Sequence, residues 1–455
     1  MQSSSVPIRL SGWGNYSRQL CHAAYPRTRD ELREVICSAS QRSWISRGLG
    51  RSYGDAAING DAGVLVHDRL AAQVAFDERG GILECEAGIS LGAVMEAVLP
   101  HGYVLPVTPG TQFVTLGGAI AADVHGKNHH RDGGFSSCVL DFELLTASGE
   151  LLRCSRQEHS EIFWATVGGM GLTGAIVRAR VQLRRVQTAY MRVEWLKSPD
   201  LDGALERLTE TADQYSYSLS WIDGLARGRN LGRSVLMLGE HASIDDLSPA
   251  QNASPLTFKS RRRLRVPSII PSLVLNRHSV RLFNATVYRL HKTGGELLDY
   301  ETFSYPLDHV LGWNRLYGRS GFIQYQVLLP HAVARQGLIR LLESIASAGL
   351  GTYVAGMKTM GPASGGLLSF PSPGVTIGLD IPNRPGLFEL TRRLDAMVLD
   401  FGGRLYLAKD ATMQPNTFAA MYPKLGAFRE IKHRVDPNSV FLSSQARRLR
   451  IVDGA

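Results

Sequence analysis

No run of 18 or more apolar residues occurs in the 455-residue chain, so no transmembrane helix is expected. The opening Met1-Gln2-Ser3-Ser4-Ser5-Val6-Pro7 lacks the apolar core of a signal peptide. The expected location is therefore cytoplasmic, or peripheral to the inner membrane. Cysteines are few. Cys21, Cys37, Cys85, Cys138 and Cys154 are odd in number and show no C-x-x-C spacing. That argues against a disulfide framework and for free thiols in a reducing compartment. A metal set is lacking too. His125 and His129 stand at i, i+4 with His130 beside them, but no H-E-x-x-H and no cysteine at ligand spacing accompanies them, and no metal is expected.

What is present is a globular composition, 44% hydrophobic and 20% charged, long enough for two or three domains. A net charge of +9 suggests an anionic partner: a phosphate ligand, an acidic lipid or a nucleic acid.

Two glycine-rich stretches organise the rest. The first is Arg47-Gly48-Leu49-Gly50-Arg51-Ser52-Tyr53-Gly54-Asp55, after the short strand candidate Trp44-Ile45-Ser46. Its glycines permit positive φ, so that successive N–H groups form a nest for phosphate, with Arg47 and Arg51 adding charge. The second runs from Pro109-Gly110-Thr111 into Thr115-Leu116-Gly117-Gly118-Ala119-Ile120-Ala121-Ala122-Asp123-Val124-His125. Thr115 is the expected cap of a small-residue helix that lets another group approach closely and whose N-terminus favours an anion. A third stretch, residues 169–174, spells G-x-G-x-x-G. A dinucleotide fingerprint needs a strand before it and a helix after it. Here a helix pattern precedes, and the alternating Ala175–Val181 follows, so a Rossmann site is rejected.

Further along, helices are expected at 30–40, 201–212, 332–348 and 386–401, and strands at 322–329, 352–360 and 375–381. This order implies an α+β domain of antiparallel sheet with helices on one face. Residues 259–292 place Lys259, Arg261, Arg262, Arg263 and Arg265 beside a proline-broken apolar run. The alternatives are a mobile surface loop or a membrane-surface contact. Little aromatic interleaving argues against nucleic acid.

Taken together, the Arg-Gly-x-Gly-Arg-Ser loop, the Pro-Gly-Thr…Gly-Gly-Ala-Ile-Ala helix and the Gly-Gly-x-Gly-x-Thr-Gly turn resemble the vanillyl-alcohol-oxidase (PCMH) type of FAD-binding fold. His125–His130, Phe163–Gly169, Trp313-Asn314-Arg315, Gln324-Tyr325-Gln326 and Tyr406–Asp410 are similar to the decaprenylphosphoryl-β-D-ribose 2′-oxidase family. The resemblance implies a two-subdomain FAD-binding domain from 1–187 and 404–455, and an α+β cap over 188–403 that binds substrate. It implies FAD held by Arg47 to Asp55 (including Leu49, Ser52 and Tyr53), Gly110, Thr115 to Gly118, Ala122 to His125, Val177 and Tyr406. Many relatives tether FAD through a histidine in the first loop. Arg51-Ser52-Tyr53 offers none, so FAD is expected to be non-covalent. Actinobacterial members carry a cysteine, the target of nitroaromatic inhibitors, where Gly378 stands here.

The chemistry so implied is oxidation of a secondary alcohol, which needs a proton acceptor and groups that orient the sugar. Lys409 is the first choice as a catalytic group. Tyr53, His125 and Lys409 all remain open as the base. Gln324 and Gln326 share one strand face and suit hydroxyl recognition. Lys358 could meet a substrate phosphate, and Trp221 and Met360 could line the pocket. The expected substrate is a polyprenyl-phosphate-linked ribose, oxidised at its 2′-hydroxyl in the route to arabinose donors for cell-wall arabinan, with a separate NAD(P)H-dependent short-chain reductase as partner. The rival is a soluble sugar, alditol or aldonolactone oxidase of the same flavin class.

Overall fold

The computed structural model describes residues 5–38, 41–257, 263–267, 276–350 and 355–452. Much of the basic-apolar run therefore lies outside the described residues, as do Ser40 and residues 352–354 of the expected helix and strand.

Capping residues start the helices where the sequence suggests. Thr28 accepts from the Glu31 N–H at the head of Arg29–Cys37. Ser90 accepts from Ala93 N–H at 3.0 Å before Leu91–Val98. Thr115 Oγ1 accepts from Gly118 N–H at 3.2 Å before Leu116–Ala121. These elements belong to the first half of the chain, which holds two larger sheets and the two-stranded pair Tyr103–Val104 with Arg184–Arg185. One contains Val6–Leu10, Gln19–Ala24, Gly63–Val66 and Trp44–Arg47 in that order, the last two pairing in parallel. The other is antiparallel, in the order Gln73–Asp77, Ile82–Glu86, Ala175–Gln182, Val139–Leu145, Leu151–Ser155. The decoy glycines sit as read, after the helix Ser160–Thr166 and before the strand Ala175–Gln182. Their turn is stitched to the small-residue helix: Gly168 N–H donates to Ile120 O at 3.2 Å and Met170 N–H to Ala121 O at 2.9 Å.

The middle of the chain forms an eight-stranded antiparallel sheet. Its order is Gly294–Asp299, Tyr190–Ser198, Ser234–His241, Tyr217–Ile222, Ala355–Met360, Gly374–Pro382, Phe322–Leu329, Arg404–Leu405. The helices Leu201–Glu210, His331–Ala348 and Leu387–Asp400 pack beside it. Leu387, Leu390, Leu394 and Val398 form the buried stripe of the last. The fold is α+β, as expected.

The edge strand Arg404–Leu405 is short, because the chain turns at Tyr406 and crosses to the first half. There Tyr53 N–H donates to Ala408 O at 2.9 Å, and Leu442 N–H to Trp44 O at 2.9 Å. Among the described residues no helix is long and apolar enough to cross a membrane.

Candidate functional site

One cavity lies between the two glycine-rich stretches on one side and the large sheet on the other. Its first wall is mostly backbone and small side chains. Gly48, Leu49, Gly50, Arg51, Ser52 and Tyr53 line it, with Gly50 at φ +66°. Among the described residues the N–H groups of Leu49, Gly50, Arg51 and Ser52 find no acceptor. Unsatisfied N–H groups of this kind suit a phosphate. Arg51 adds charge at the cavity, its guanidinium 3.9 Å from the Trp13 ring centroid and 5.0 Å from that of Phe113. Gly110, Thr115, Gly117, Gly118, Ala122, Val124, His125 and Tyr406 continue the wall.

The helix N-terminus does not act as an anion site. Its N–H groups are already used, Leu116 donating to Ile89 O at 2.9 Å and Gly117 to Ala87 O at 2.8 Å. What the helix contributes is thinness. A Cβ on Gly117 would lie 2.9 Å from Ala87 Cβ, and one on Gly48 would lie 2.2 Å from Thr115 Oγ1.

Eight expected residues do not line the cavity, each for a definite reason. Arg47 turns inward and donates to Ala57 O at 3.1 Å and Ser11 O at 2.9 Å. Gly54 is a close approach, since a Cβ there would meet Asp410 O at 2.0 Å. Asp55 is paired with Arg448 at 2.7 Å. Leu116 is core. Asp123 accepts from Ser136 N–H, Ser364 Oγ and Ser369 Oγ, and so fixes a turn. Val177 points into a second apolar cluster with Leu145 and Phe441, and its strand neighbour Ile176 faces the cavity. Met360 is core, and Trp221 stands beyond Leu219, which takes the lining position on its strand face.

The second wall belongs to the large sheet and gathers the polar side chains. Gln324, Gln326, Lys358 and Lys409 all reach the cavity. Gln324 Nε2 donates to Asp380 Oδ1 at 2.6 Å across paired strands. Gln326 Nε2 lies 3.0 Å from His125 Nε2 and 3.3 Å from Thr376 Oγ1. Lys358 donates to Gly126 O at 3.1 Å, and Lys409 Nζ sits 3.9 Å from the Tyr53 ring centroid. The space above this floor exists because Gly356 and Gly378 oppose one another in adjacent strands.

Burial decides the charge states. It lowers the Lys409 ammonium to about 7, against the pull of Asp380, and it lowers Lys358 to about 8. It raises the Asp380 carboxyl to about 7. It drives His125 well below the usual imidazole range, with Lys358 adding to the effect, and drives Tyr53 well above the usual phenol. His125 is thus neutral and Tyr53 is a donor. Of the three groups open as base, only Lys409 changes charge near neutral pH. The other two histidines serve as structure: His129 Nδ1 accepts from Gly361 N–H at 3.0 Å, and a His130 ring nitrogen lies 3.1 Å from Tyr215 O.

Asp380, Trp13, Phe113, Ile176 and Asp308 were not singled out from sequence. A lone charge in the otherwise uncharged Gly374–Pro382 was the available signal for the first. Asp308, which lines the cavity and accepts from Gln112 N–H at 2.8 Å, lies in the short 3-10 helix Pro306–His309, which has no local signature of function.

Comparison with known proteins agrees with this geometry. An FAD-binding-domain family matches residues 22–155, and a D-arabinono-1,4-lactone oxidase family matches 386–449. The decaprenylphosphoryl-β-D-ribose oxidase of Mycolicibacterium smegmatis is 37% identical over 450 residues, 98% of either chain. The chain belongs to the decaprenylphosphoryl-β-D-ribose oxidase family. An uncharacterized protein in the mprA 5′ region of Streptomyces coelicolor is 36% identical over 79% of this chain and all of its own length. Cytokinin dehydrogenase 2 of Arabidopsis thaliana is 32% identical, but over only 33% of this chain and 30% of its own. That match is partial, whereas the match to the Mycolicibacterium smegmatis oxidase spans both walls of the cavity. The chain is an FAD-dependent oxidoreductase, and the free N–H nest with its thin small-residue wall fits that cofactor.

Proposed function

We propose that the chain oxidises the 2′-hydroxyl of a polyprenyl-phosphoryl-β-D-ribose to the 2′-ketone. The observation that carries this reading is the extent of the likeness to the oxidase, 98% of both chains, which takes in the strands bearing Gln324, Gln326 and Lys358. Residues 1–187 and 404–455 serve as the cofactor half, and 188–403 as the substrate cap. FAD, bound without a covalent tether, would supply the hydride acceptor for C2′. Lys409 receives the hydroxyl proton, since it is neutral in good part at pH 7. Gln324 and Gln326 orient the sugar hydroxyls, Lys358 meets the phosphate end, and Tyr53 holds Lys409 beneath its ring. The ketone is returned as the arabinose epimer by a separate NAD(P)H-dependent short-chain reductase. The lipid substrate brings the protein into peripheral contact with a membrane.

Anaerobic titration with polyprenyl-phosphoryl ribose, following flavin absorbance, tests the reading. Bleaching supports it, and a flavin that stays oxidised sinks the substrate assignment. Acid precipitation should leave the yellow colour in solution. A second reading, an aldonolactone oxidase, is favoured by the match over residues 386–449. Bleaching by a lactone or its parent sugar, with none by the lipid-linked ribose, would establish it instead.

A further inference from the structure

The net charge of +9 is not spread over the molecule. Residues 247–295 contain nine Lys and Arg and no Asp or Glu, which leaves 41 basic and 41 acidic residues elsewhere. In the C-terminal part of this acid-free segment the structure has a 14-residue helix, Arg277–Leu290, whose outer face exposes large apolar side chains among its cations. Its inner face is pinned by a polar group: Asn284 Nδ2 donates to Asp223 Oδ1 at 2.8 Å, and Asp223 is itself paired with Arg233 at 2.6 Å. Lys197 Nζ reaches Arg289 O at 3.1 Å. Val280 is the buried apolar contact. The outer face carries Leu282, 70% exposed, and Leu290, 75% exposed, between the exposed cations Arg281 and Arg289. Leu264, 71% exposed, stands on the short strand that pairs with Val310 at the cavity wall. The helix is close to the site as well. Asp223, its anchor, follows Leu219 of the cavity wall by four residues, roughly 13 Å of extended chain.

We infer that the helix Arg277–Leu290 docks the protein on an anionic lipid bilayer, with Leu282 and Leu290 entering the headgroup boundary and Arg281 and Arg289 meeting lipid phosphates. A solvent-facing stripe of leucine costs solubility unless it is covered, and cations flanking such a stripe match a negatively charged, apolar-backed surface. This deepens the lipid-substrate reading above and rests on it for its purpose. The docking sets the cavity beside the layer in which a polyprenyl chain is dissolved.

The test uses the FAD-loaded full chain and flotation with vesicles of phosphatidylcholine alone or with phosphatidylglycerol. The native chain should float with the anionic vesicles and stay behind with the neutral ones. Arg281→Glu with Arg289→Glu should weaken partition by about tenfold or more, since each cation near such a surface contributes noticeably. Leu282→Ser with Leu290→Ser should weaken it at unchanged charge. Both should keep native flavin spectra and native reduction by a short-chain, water-soluble phosphoryl ribose. Equal flotation of native and variant chains would overturn the inference. So would a leucine variant whose only change is a lower Tm, because the stripe would then be covered by the chain itself. Retention on DNA without vesicle binding would overturn it too. Flotation of the native chain with no flavin bleaching by the lipid-linked ribose would leave the docking standing and remove the substrate assignment.

Discussion

The two walls of the cavity are built from different materials. The cofactor wall is backbone: free N–H groups of Leu49 to Ser52, and glycines and alanines of one short helix. The second wall is side chain: two amides and two lysines brought together by strands and a turn distant in sequence, with the Asp380 carboxyl behind Gln324. A backbone wall recognises any ligand with the right phosphates and tolerates change in its side chains. On the reading proposed above, the side-chain wall sets which substrate is oxidised and at what pH. The difference separates binding of the cofactor from choice of the reaction, and substitutions can be aimed at either alone.

The sharpest break should come from Lys409→Ala, at the seam where the second wall meets the Tyr53 ring of the first. FAD content should be native, while the rate of anaerobic flavin reduction falls by about 10²–10⁴-fold. Stopped-flow absorbance reads it, and loss of FAD would mean that the two walls are not separable there. Next is Arg448→Met. Arg448 bonds Asp55 at 2.7 Å and Asp410 at 2.8 Å, behind the loops that carry Tyr53 and Lys409. Two buried carboxylates would be left uncompensated, a loss of about 3–5 kcal/mol that a denaturant titration would register.

A smaller effect is expected from Asp380→Asn. Lys409 acts as the neutral amine, so flavin reduction rises with pH through its midpoint near 7. Ionised Asp380 holds that midpoint up. Removing the carboxylate should move the midpoint of the rate–pH profile down, by up to about 1 unit. An upward move would contradict the assignment of Lys409 as base.

Gly378→Cys should change neither turnover nor stability appreciably, because a Cβ there meets Gln326 at an ordinary 3.7 Å. It should, however, gain a nitroaromatic adduct by intact mass that the native chain does not form. Smallest is Val177→Ala, which should cost about 1 kcal/mol of stability and leave FAD retention unchanged, while Ile176→Ala on the cavity side weakens retention. Equal FAD loss in both would show that the register of that strand is not as described.

The cofactor wall was legible in the sequence because its signals are local. Glycine at a positive-φ turn, threonine before a small-residue helix and a helix ahead of the decoy glycines are read within a few residues. Arg47 and Arg51 show where local reading stops. Both flank the same glycines, yet Arg47 is claimed by the carbonyls of Ser11 and Ala57, so only Arg51 reaches the cavity. Val177 does not line the cavity for a related reason: the strand has an irregularity of register between Ile176 and Arg178, and Ile176 is the side chain that faces the cavity. Asp380 was invisible because its meaning comes from Gln324 across the sheet. Alternation placed Gln324 and Gln326 on one face but could not say what lay opposite them.

The contact of Tyr53 with Ala408 and the grip of Arg448 on Asp55 join positions separated by most of the chain's length. During synthesis the first glycine-rich loop emerges more than 350 residues before its supports, and long-range contacts of this kind close late. Asp55, at the end of that loop, is gripped by Arg448 of the helix Ser444–Leu449. The yellow colour of a preparation therefore reports that two stretches nearly 400 residues apart in sequence have come together.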